Sequence, residues 1–400
     1  MPTSTFELHP FRGLNLVEED AALTVRSKDG TYTELRKAEN ACITPTGRVD
    51  MRPGMAPASS SPYRHIWQHP ASGRVYGTLG SEWVMINPAD WSHTVLADIG
   101  SADWAYHCDV NGFAVVSVPS GLWVQDGSSA RHLALDRPSA PLLGTESGGS
   151  LAAGRYGVAV AWLRGAKESP CSLIEWMNAA EASLLRVTLP MAFDPTLTGA
   201  RIYITAQNSG ALRRYAEVPI NQIEIAIPHV DQQTGLEPPF PLMQPMPAGR
   251  YVQHWKGRLL VAGIRTLNFS QPLAHHIHNA RTDFVHFPQR ITFVVGVDGG
   301  VWVGQQDHVV FLAGSEPDQW VSQRKAAQRP VPDSAVLLDS DVAGEVAGQT
   351  GCALWLAANG YVIGAPDGTL IERHRRKLAG IHGERGTTAV IDGRLVTAVM

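Results

Sequence analysis

Short apolar runs joined by turn residues recur along the chain and predict β-hairpins. Gly73–Ile86 and Asn111–Gln125 each hold two such runs, rich in β-branched residues and Trp, around a turn that contains Gly, Asn or Ser. The same arrangement returns at Lys256–Gly263, Asp298–Gly304 and Ala353–Ile363. Two apolar runs around such a turn are the usual signature of a hairpin. Their loose spacing of about 40–50 residues favours a β-propeller with one hairpin in each blade.

The stretch from residue 152 to 228 has a different pattern, in which apolar and polar residues alternate along short strands. The segments are Gly154–Trp162, Leu184–Leu189, Ala200–Thr205, Arg214–Val218 and Ile223–Ile227. A period of two over about five neighbouring strands predicts a small β-sandwich of the fibronectin type. The Pro-rich stretch that follows predicts a stiff, extended return segment.

The sequence therefore predicts an all-β fold, a β-propeller of about five to seven blades with one inserted fibronectin-like β-sandwich. The predicted domains are an N-terminal arm with a ring-closing strand (1–55), the first part of the propeller (56–145), the sandwich (146–230), a Pro-rich return linker (231–250) and the second part of the propeller (251–400). Within the arm, Ile43–Met51 forms two short strand pieces around a turn at Pro45–Gly47. A strand there that pairs with the last C-terminal strands would close the ring and remove exposed sheet edges.

Composition favours a protein that buries surface against other proteins. Charged residues make up 18% of the 400 residues, below the roughly 25% of typical soluble domains. The net charge of −4 gives no overall cationic field that would attract nucleic acid. The N-terminus lacks a basic region followed by an apolar core, and no apolar run is long enough for a membrane helix, so we expect neither a signal peptide nor a membrane segment.

The sequence lacks the motifs of common catalytic and cofactor sites. It has no phosphate-binding loop, no Gly-x-Ser-x-Gly elbow, no His-Glu-x-x-His and no EF-hand spacing. We therefore expect no catalytic residues and no cofactor, although an active site built from loops needs none of these motifs. The strongest metal candidate is the segment Ala274–His286, which has His275, His276, His278 and Asp283 within nine residues. Adjacent histidines on an extended segment point to opposite faces, which favours a polar loop facing solvent or a partner over a metal site.

A cluster of basic residues is the best candidate for a contact with phosphate or with an acidic partner. Its members are Arg373, Arg375, Arg376 and Lys377, and a smaller cluster contains Arg324, Lys325 and Arg329. The alternative is a solvated edge strand or turn whose charges discourage edge-to-edge pairing. No aromatic stripe accompanies either cluster, so the sequence does not support base stacking.

The tryptophans divide into two predicted groups. Trp83, Trp123, Trp302 and Trp355 occupy equivalent places in the hairpins and are predicted to pack in blade cores. Trp91, Trp104 and Trp320 lie outside that pattern, and as exposed side chains they could bind carbohydrate.

Segments across most of the chain, taken together, resemble one group of known proteins. At the N-terminus they are Gly13–Leu16, Lys37–Ala41 and Gly47–Gly54; in the sandwich, Ala153–Tyr156, Glu168–Pro170, Ala200–Thr205 and Tyr215–Val218; beyond it, Asn268–Pro272, Phe287–Thr292, Gly300–Gly304 and Val310–Gly314. Together they resemble the tail and head-to-tail propeller proteins of tailed bacteriophages. Each motif is loose, and none is catalytic.

The resemblance implies a structural virion protein. In the tail-nozzle and DNA-stabilisation proteins of short-tailed phages, propeller subunits form a ring below the portal and line the DNA exit channel. The expectation is an oligomeric tail component, made in the host cytoplasm, with other tail or portal-proximal proteins as partners and non-specific DNA contact through residues 373–377. We expect a compact subunit without the long extra domains common in nozzle subunits, which leaves nozzle, connector and tail-tip ring open.

Two other functions remain open at this point. One is a receptor- or glycan-binding propeller at the virion periphery. The other is a propeller glycoside hydrolase or lyase, which requires two carboxylates converging on a pocket.

Overall fold

The structure is a computed structural model that describes residues 9–44, 46–52, 54, 56–231, 235–239, 243–344, 351–391 and 394–400. The N-terminal residues 1–8, the predicted turn residue Pro45 and parts of the predicted linker lie outside the described residues. The chain divides into two compact units. The first, which we call the terminal unit, contains Met1–Pro62 and Phe287–Met400, and the second, the central unit, contains Tyr63–His286.

Strands make up almost all the regular structure. In the described ranges the helical pieces are two 3-10 turns, Asp20–Ala22 and Pro317–Gln319, and one helix of four residues, Ser340–Ala343. None of these is long and apolar enough to cross a membrane. The predicted all-β class is confirmed.

The N-terminal segment of the terminal unit forms a three-stranded sheet and a hairpin. The strands are β1 (Phe11–Leu14), β2 (Thr24–Ser27), β3 (Gly30–Leu35), β4 (Ala41–Ile43) and β5 (Val49–Met51). β3 lies between β1 and β2, and β4 pairs only with β5 in the part of the chain that is described. Gly47 N donates to Thr44 O at 2.9 Å, and this tight turn brings β4 and β5 together. The segment predicted to close the ring therefore pairs with itself as a hairpin.

The central unit begins with two four-stranded antiparallel sheets of the propeller-blade type. The first blade contains β6 (Arg64–Gln68), β7 (Val75–Leu79), β8 (Glu82–Ile86) and β9 (His93–Asp98). The second blade contains β10 (Tyr106–Val110), β11 (Phe113–Val118), β12 (Gly121–Asp126) and β13 (Ser129–His132). In both blades neighbouring strands follow chain order, as the repeated hairpin pattern predicts.

A β-sandwich follows the second blade. Its strands are β14 (Leu142–Leu151), β15 (Gly154–Arg164), β16 (Lys167–Glu168), β17 (Glu175–Ala179), β18 (Ser183–Thr188), β19 (Gly199–Thr205), β20 (Leu212–Pro219) and β21 (Glu224–Ile227). One sheet has the order β14-β18-β21 and the other β16-β15-β19-β20, with β17 also paired to β15. Alternate residues of β15 and β18, such as Val158, Val160 and Leu185, form the core between the sheets. This confirms the inserted sandwich.

The third blade packs directly on the second, so the insertion does not interrupt the blade series. Its strands are β23 (Arg250–Trp255), β24 (Arg258–Ala262), β25 (Thr266–Phe269) and β27 (Phe284–His286), beside the short pair β22 (Gln244–Pro245) and β26 (Ile277–His278). Val115 and Leu122 of the second blade share a core with Leu259 and Val261 of the third. Ser117 Oγ also donates to Gly249 O at 2.6 Å.

The rest of the terminal unit supplies two more blades and a hairpin. The fourth blade contains β28 (Ile291–Val297), β29 (Gly300–Gln305), β30 (Val309–Ala313) and β31 (Val321–Lys325). The fifth contains β32 (Val336–Leu338), β33 (Cys352–Ala357), β34 (Gly360–Gly364) and β35 (Leu370–Ile371), and β36 (Gly386–Ile391) pairs with β37 (Arg394–Val399). The fold is therefore that of propeller blades with an inserted sandwich.

Three of the four predicted core tryptophans are fully buried. Trp83, Trp302 and Trp355 have 0% exposure. Trp302 lies so close to Gly364 that a Cβ there would sit 2.6 Å from the indole Cε2, which excludes any larger residue without movement. Trp123 differs from the prediction: it is half-buried at the edge of the core, where its ring lies 3.9 Å from that of His132.

Candidate functional site

The predicted basic cluster forms a turn after β35 rather than an edge strand. Arg373, Arg375 and Arg376 are exposed, and Lys377 is half-buried. The turn is held by its own backbone, with Lys377 N donating to His374 O at 2.9 Å. Its carbonyl at Lys377 in turn accepts from Leu16 N at 2.6 Å, which fixes the turn to the N-terminal segment of the same unit.

The four basic side chains of this turn divide into one structural cation and three arginines directed to solvent. Lys377 forms an ion pair with Glu34, which is only 2% exposed and also accepts from Asn15 Nδ2 at 2.6 Å. Arg375 lies 3.7 Å from Glu372, at the outer limit for an ion pair. Arg373 and Arg376 pair with no carboxylate among the described residues. The arginines, and not Lys377, are therefore available to a phosphate or an acidic partner.

The smaller basic cluster also divides. Lys325 Nζ lies 5.5 Å from the ring centroid of Phe311 and 5.9 Å from that of Trp302, so its ammonium covers the fourth-blade core. Arg324 is exposed on β31, the edge strand of that blade. This is the arrangement expected of charges that protect a sheet edge.

The sequence predicted a polar loop whose histidines face solvent or a partner, but the histidines are buried within the central unit. His275 Nε2 lies 3.1 Å from Gly257 O in the third blade, and His276 Nε2 lies 2.9 Å from Glu168 O in the sandwich. The two histidines are the central residues of a turn that Ile277 N closes by donating to Ala274 O at 3.2 Å, so the predicted extended segment is wrong, although the two side chains do contact different elements. Asp283 accepts from Asn279 N at 2.7 Å. Within the described ranges no group of three or more ligand-type side chains is placed to hold a metal ion.

Burial sets the protonation state of this loop. It lowers the pKa of His275 to about 4, with a contribution from His254, and it lowers the pKa of His276 to about 4. Both imidazoles are therefore neutral at pH 7. A neutral imidazole has one N–H, and the carbonyl partners place it on Nε2 in both residues.

A buried arginine fixes the sandwich to the second blade. Arg164 Nη1 donates to His132 O at 2.8 Å, Nε to Thr196 Oγ1 at 2.7 Å and Nη2 to Asp194 Oδ2 at 2.6 Å. Arg137 Nη2 adds a bond of 3.0 Å to Met243 O. Arg164 could not be predicted as an anchor, because a single Arg at the end of an apolar strand carries no motif.

One end of the sandwich presents large apolar side chains to solvent. Leu142, Met191, Phe193 and Ile223 are 72%, 75%, 86% and 73% exposed. We call these four residues the apolar end of the sandwich. They lie where β14 and β21 begin and β18 ends, since Leu142 is opposite Thr188 and Leu189 N donates to Ile223 O at 2.7 Å.

The loop that carries Met191 and Phe193 is held in place. Ala192 packs inward on the sandwich core, so the residues on either side of it point outward. Asp194 accepts from Thr196 N at 2.8 Å and from Arg164, the residue that also binds the second blade. Phe193 is thus presented on a loop fixed through Arg164 to the blades. Clustered exposed apolar groups of this kind mark interaction surfaces.

The predicted carbohydrate-binding tryptophans are half-buried. Trp91, Trp104 and Trp320 are all intermediate in exposure. At the outer part of the first blade, Tyr63 OH donates to Trp91 O at 2.7 Å and lies 2.8 Å from His93 Nδ1. The Tyr63 and Trp91 ring centroids are 6.3 Å apart.

Comparison with known proteins identifies no family. No protein-family model matches the chain, and no curated protein matches it. Among solved structures it is similar to Hsv2 of Kluyveromyces lactis (8% identity, 85% of this chain, 90% of that chain, TM-score 0.32) and to BBS1N in complex with ARL6DN (13% identity, 84% and 92%, TM-score 0.29). The extracellular domain of BT4673 from B. thetaiotaomicron matches at 9% identity over 92% and 60%, with a TM-score of 0.24. At such low scores the fold assignment depends on the strand pairing described above.

Proposed function

We propose that this protein is a non-enzymatic structural subunit of a bacteriophage tail, which acts by assembling with copies of itself and with other tail proteins. The apolar end of the sandwich is the observation that carries the proposal. Its four side chains are 72–86% exposed, although the loop that carries Met191 and Phe193 is held by the hydrogen bond between Arg164 and Asp194. The resemblance of the sequence to tail and nozzle propeller proteins supports the virion location.

The energetics of this surface favour a partner. Removing a large apolar side chain from water contributes about 1.5–3 kcal/mol, so four of them together could stabilise an interface substantially. Loops that are already ordered lose little conformational entropy on binding, and the Asp194 and Arg164 contacts provide that order. The low charged fraction of 18% also reduces the polar surface that an interface must desolvate.

The basic turn provides a further element of the proposal. Arg373, Arg375 and Arg376 are exposed on a fixed turn and would contact the phosphates of DNA in an exit channel. Such contacts are independent of base sequence, as passage of a whole genome requires.

The experiment is to compare the mass of the purified protein in solution with that of a surface variant. We expect an oligomer by light scattering, and its dissociation by Met191→Ser/Phe193→Ser. The matched control is Phe113→Ser, which removes a 56% exposed Phe from the second blade and should leave the oligomer intact. Imaging of the purified phage should then locate the subunit in the tail. A monodisperse monomer that is absent from purified virions would contradict the proposal.

A glycan-binding role is the second candidate, favoured by the cluster of Tyr63, Trp91 and His93. Two half-buried rings and an imidazole held by hydrogen bonds offer the stacking surface and polar groups on which sugars bind. Binding of host surface polysaccharide that Trp91→Ala abolishes and Trp104→Ala does not would favour this role. Absence of saturable binding would dismiss it.

A further inference from the structure

The turn that carries His275 and His276 joins two parts of the central unit. His275 contacts Gly257 O of the third blade, and His276 contacts Glu168 O, which belongs to β16 of the sandwich. Both side chains are deeply buried, at 8% and 4% exposure. The backbone completes the connection, with Met246 N donating to His276 O at 2.9 Å. The two imidazoles therefore lie where the sandwich meets the third blade.

The charged groups around this turn are mostly cations. His275 faces the ring of His254 edge-on at a centroid distance of 5.0 Å, and it also lies near Lys167. His276 lies near Lys167 and Arg164. The carboxylate of Glu168 is already engaged, because it pairs with Arg201 and accepts from Tyr203 OH at 2.5 Å. A positive charge on either histidine would thus be buried beside other cations.

We propose that the His275–His276 turn is an acid-sensitive latch, which holds the sandwich against the third blade at neutral pH and releases it when the two imidazoles become charged. Protonation would leave both Nε2–H donors in place. The change is electrostatic: each charge would lose hydration and would also be repelled by the ammonium of Lys167 and, at His276, by the guanidinium of Arg164.

The sign of the effect follows from linkage. The folded pKa of both residues is lowered from 6.5 to about 4, whereas the released histidines would titrate near 6.5. The latched state therefore keeps its full stability above pH 6.5 and loses it as the pH falls towards 4. The equilibrium for release should rise by about tenfold per pH unit for each histidine across that window.

Hydrogen exchange measured by mass spectrometry between pH 7.5 and 4.5, corrected for intrinsic rates, tests the latch. We expect the protection of Lys167–Glu168 and Ile277–His278 to fall on acidification, while Phe113–Val118 in the blade core stays protected. The test variant is His275→Gln/His276→Gln, whose amides can donate at the same positions and cannot become charged. In this variant the loss of protection between pH 6.5 and 4.5 should be reduced at least tenfold.

Two further variants complete the design. His286→Gln, at an exposed position of the third blade, is the matched control and should release like the unaltered protein. Lys167→Met removes a cation that disfavours the charged form of both imidazoles, so release should move to lower pH even if the double glutamine variant fails to fold. Release of the double variant at the same pH as the unaltered protein would overturn the latch. So would simultaneous exposure of Phe113–Val118, which indicates global unfolding instead.

Discussion

The two units of the chain contain similar blades, but the side chains that pack between neighbouring blades differ in kind from one unit to the other. In the terminal unit, blade packing is aromatic and apolar: Trp302 and Trp355 have ring centroids 5.6 Å apart, and Phe293 lies 5.1 Å from Trp355. In the central unit, Trp67 stacks on His107 at 5.5 Å and an interplanar angle of 7°. Tyr76 OH there also donates to Gln125 Oε1 at 2.5 Å.

The two units also differ in the protonation of their buried histidines. All described histidines whose pKa is lowered by burial belong to the central unit; they are His107, His132, His254, His275, His276 and His278. One blade geometry therefore tolerates either an apolar or an imidazole-rich packing. The imidazole-rich packing makes the stability of the central unit depend on pH in the mildly acidic range.

The largest expected effect is on the aromatic packing of the terminal unit. Trp302→Ala should lower the free energy of unfolding of that unit by about 3–5 kcal/mol, because it leaves a cavity beside Trp355 and Gly364. Urea unfolding followed by fluorescence and hydrogen exchange measures the loss. Trp123→Ala, at a half-buried position, should cost clearly less. Equal losses for the two variants would contradict the distinction between core and edge tryptophans.

Acidification should act mainly on the central unit. Burial lowers the pKa of His107 to about 3, and the unfolded chain takes up its proton near 6.5. Each such histidine therefore lowers stability by about 1.4 kcal/mol per pH unit between 6.5 and its folded pKa. Exchange measured across this range should show Lys167–Glu168 and Ile277–His278 losing protection first, and the blade strands of the central unit, which include Phe113–Val118, losing it only below pH 4.5. If Ile291–Val297 of the terminal unit lost protection from exchange before the strands of the central unit, the proposed difference in pH dependence would be contradicted.

A smaller effect is expected at the charged anchor of the central unit. Arg164→Met removes three hydrogen bonds, those to His132 O, Thr196 and Asp194, and we expect a loss of about 1–3 kcal/mol in the stability of that unit. The loop with Phe193 should also lose protection from exchange. Arg155→Met is a suitable control, since Arg155 only covers the Trp176 ring at 4.3 Å. Unchanged protection at Phe193 in the first variant would show that the loop is held by other contacts.

The sequence predicted the features that depend on local pattern. Hairpin turns such as Asn111–Gly112 and the period of two in β15 act over a few residues, so the blades and the sandwich could be predicted from them. The features that the sequence predicted wrongly depend on contacts with residues distant in the chain. The histidine loop is buried because His276 meets Glu168, which lies 108 residues earlier, and no local pattern encodes that contact.

The weakest expected effect separates the two kinds of basic residue in one turn of the terminal unit. Lys377→Met leaves the buried carboxylate of Glu34 with Asn15 as its remaining partner, and we expect a loss of about 1–2 kcal/mol in the stability of that unit. Arg376→Met should change stability by less than about 0.5 kcal/mol, because the side chain is exposed. DNA retention in assembled particles should respond in the opposite order, being reduced by Arg373→Glu/Arg376→Glu and left intact by Lys377→Met. Thermal unfolding ranks the variants by stability, and a nuclease-protection assay ranks them by DNA retention. A Lys377 variant that loses DNA while keeping its stability would show that Lys377, and not the arginines, contacts DNA.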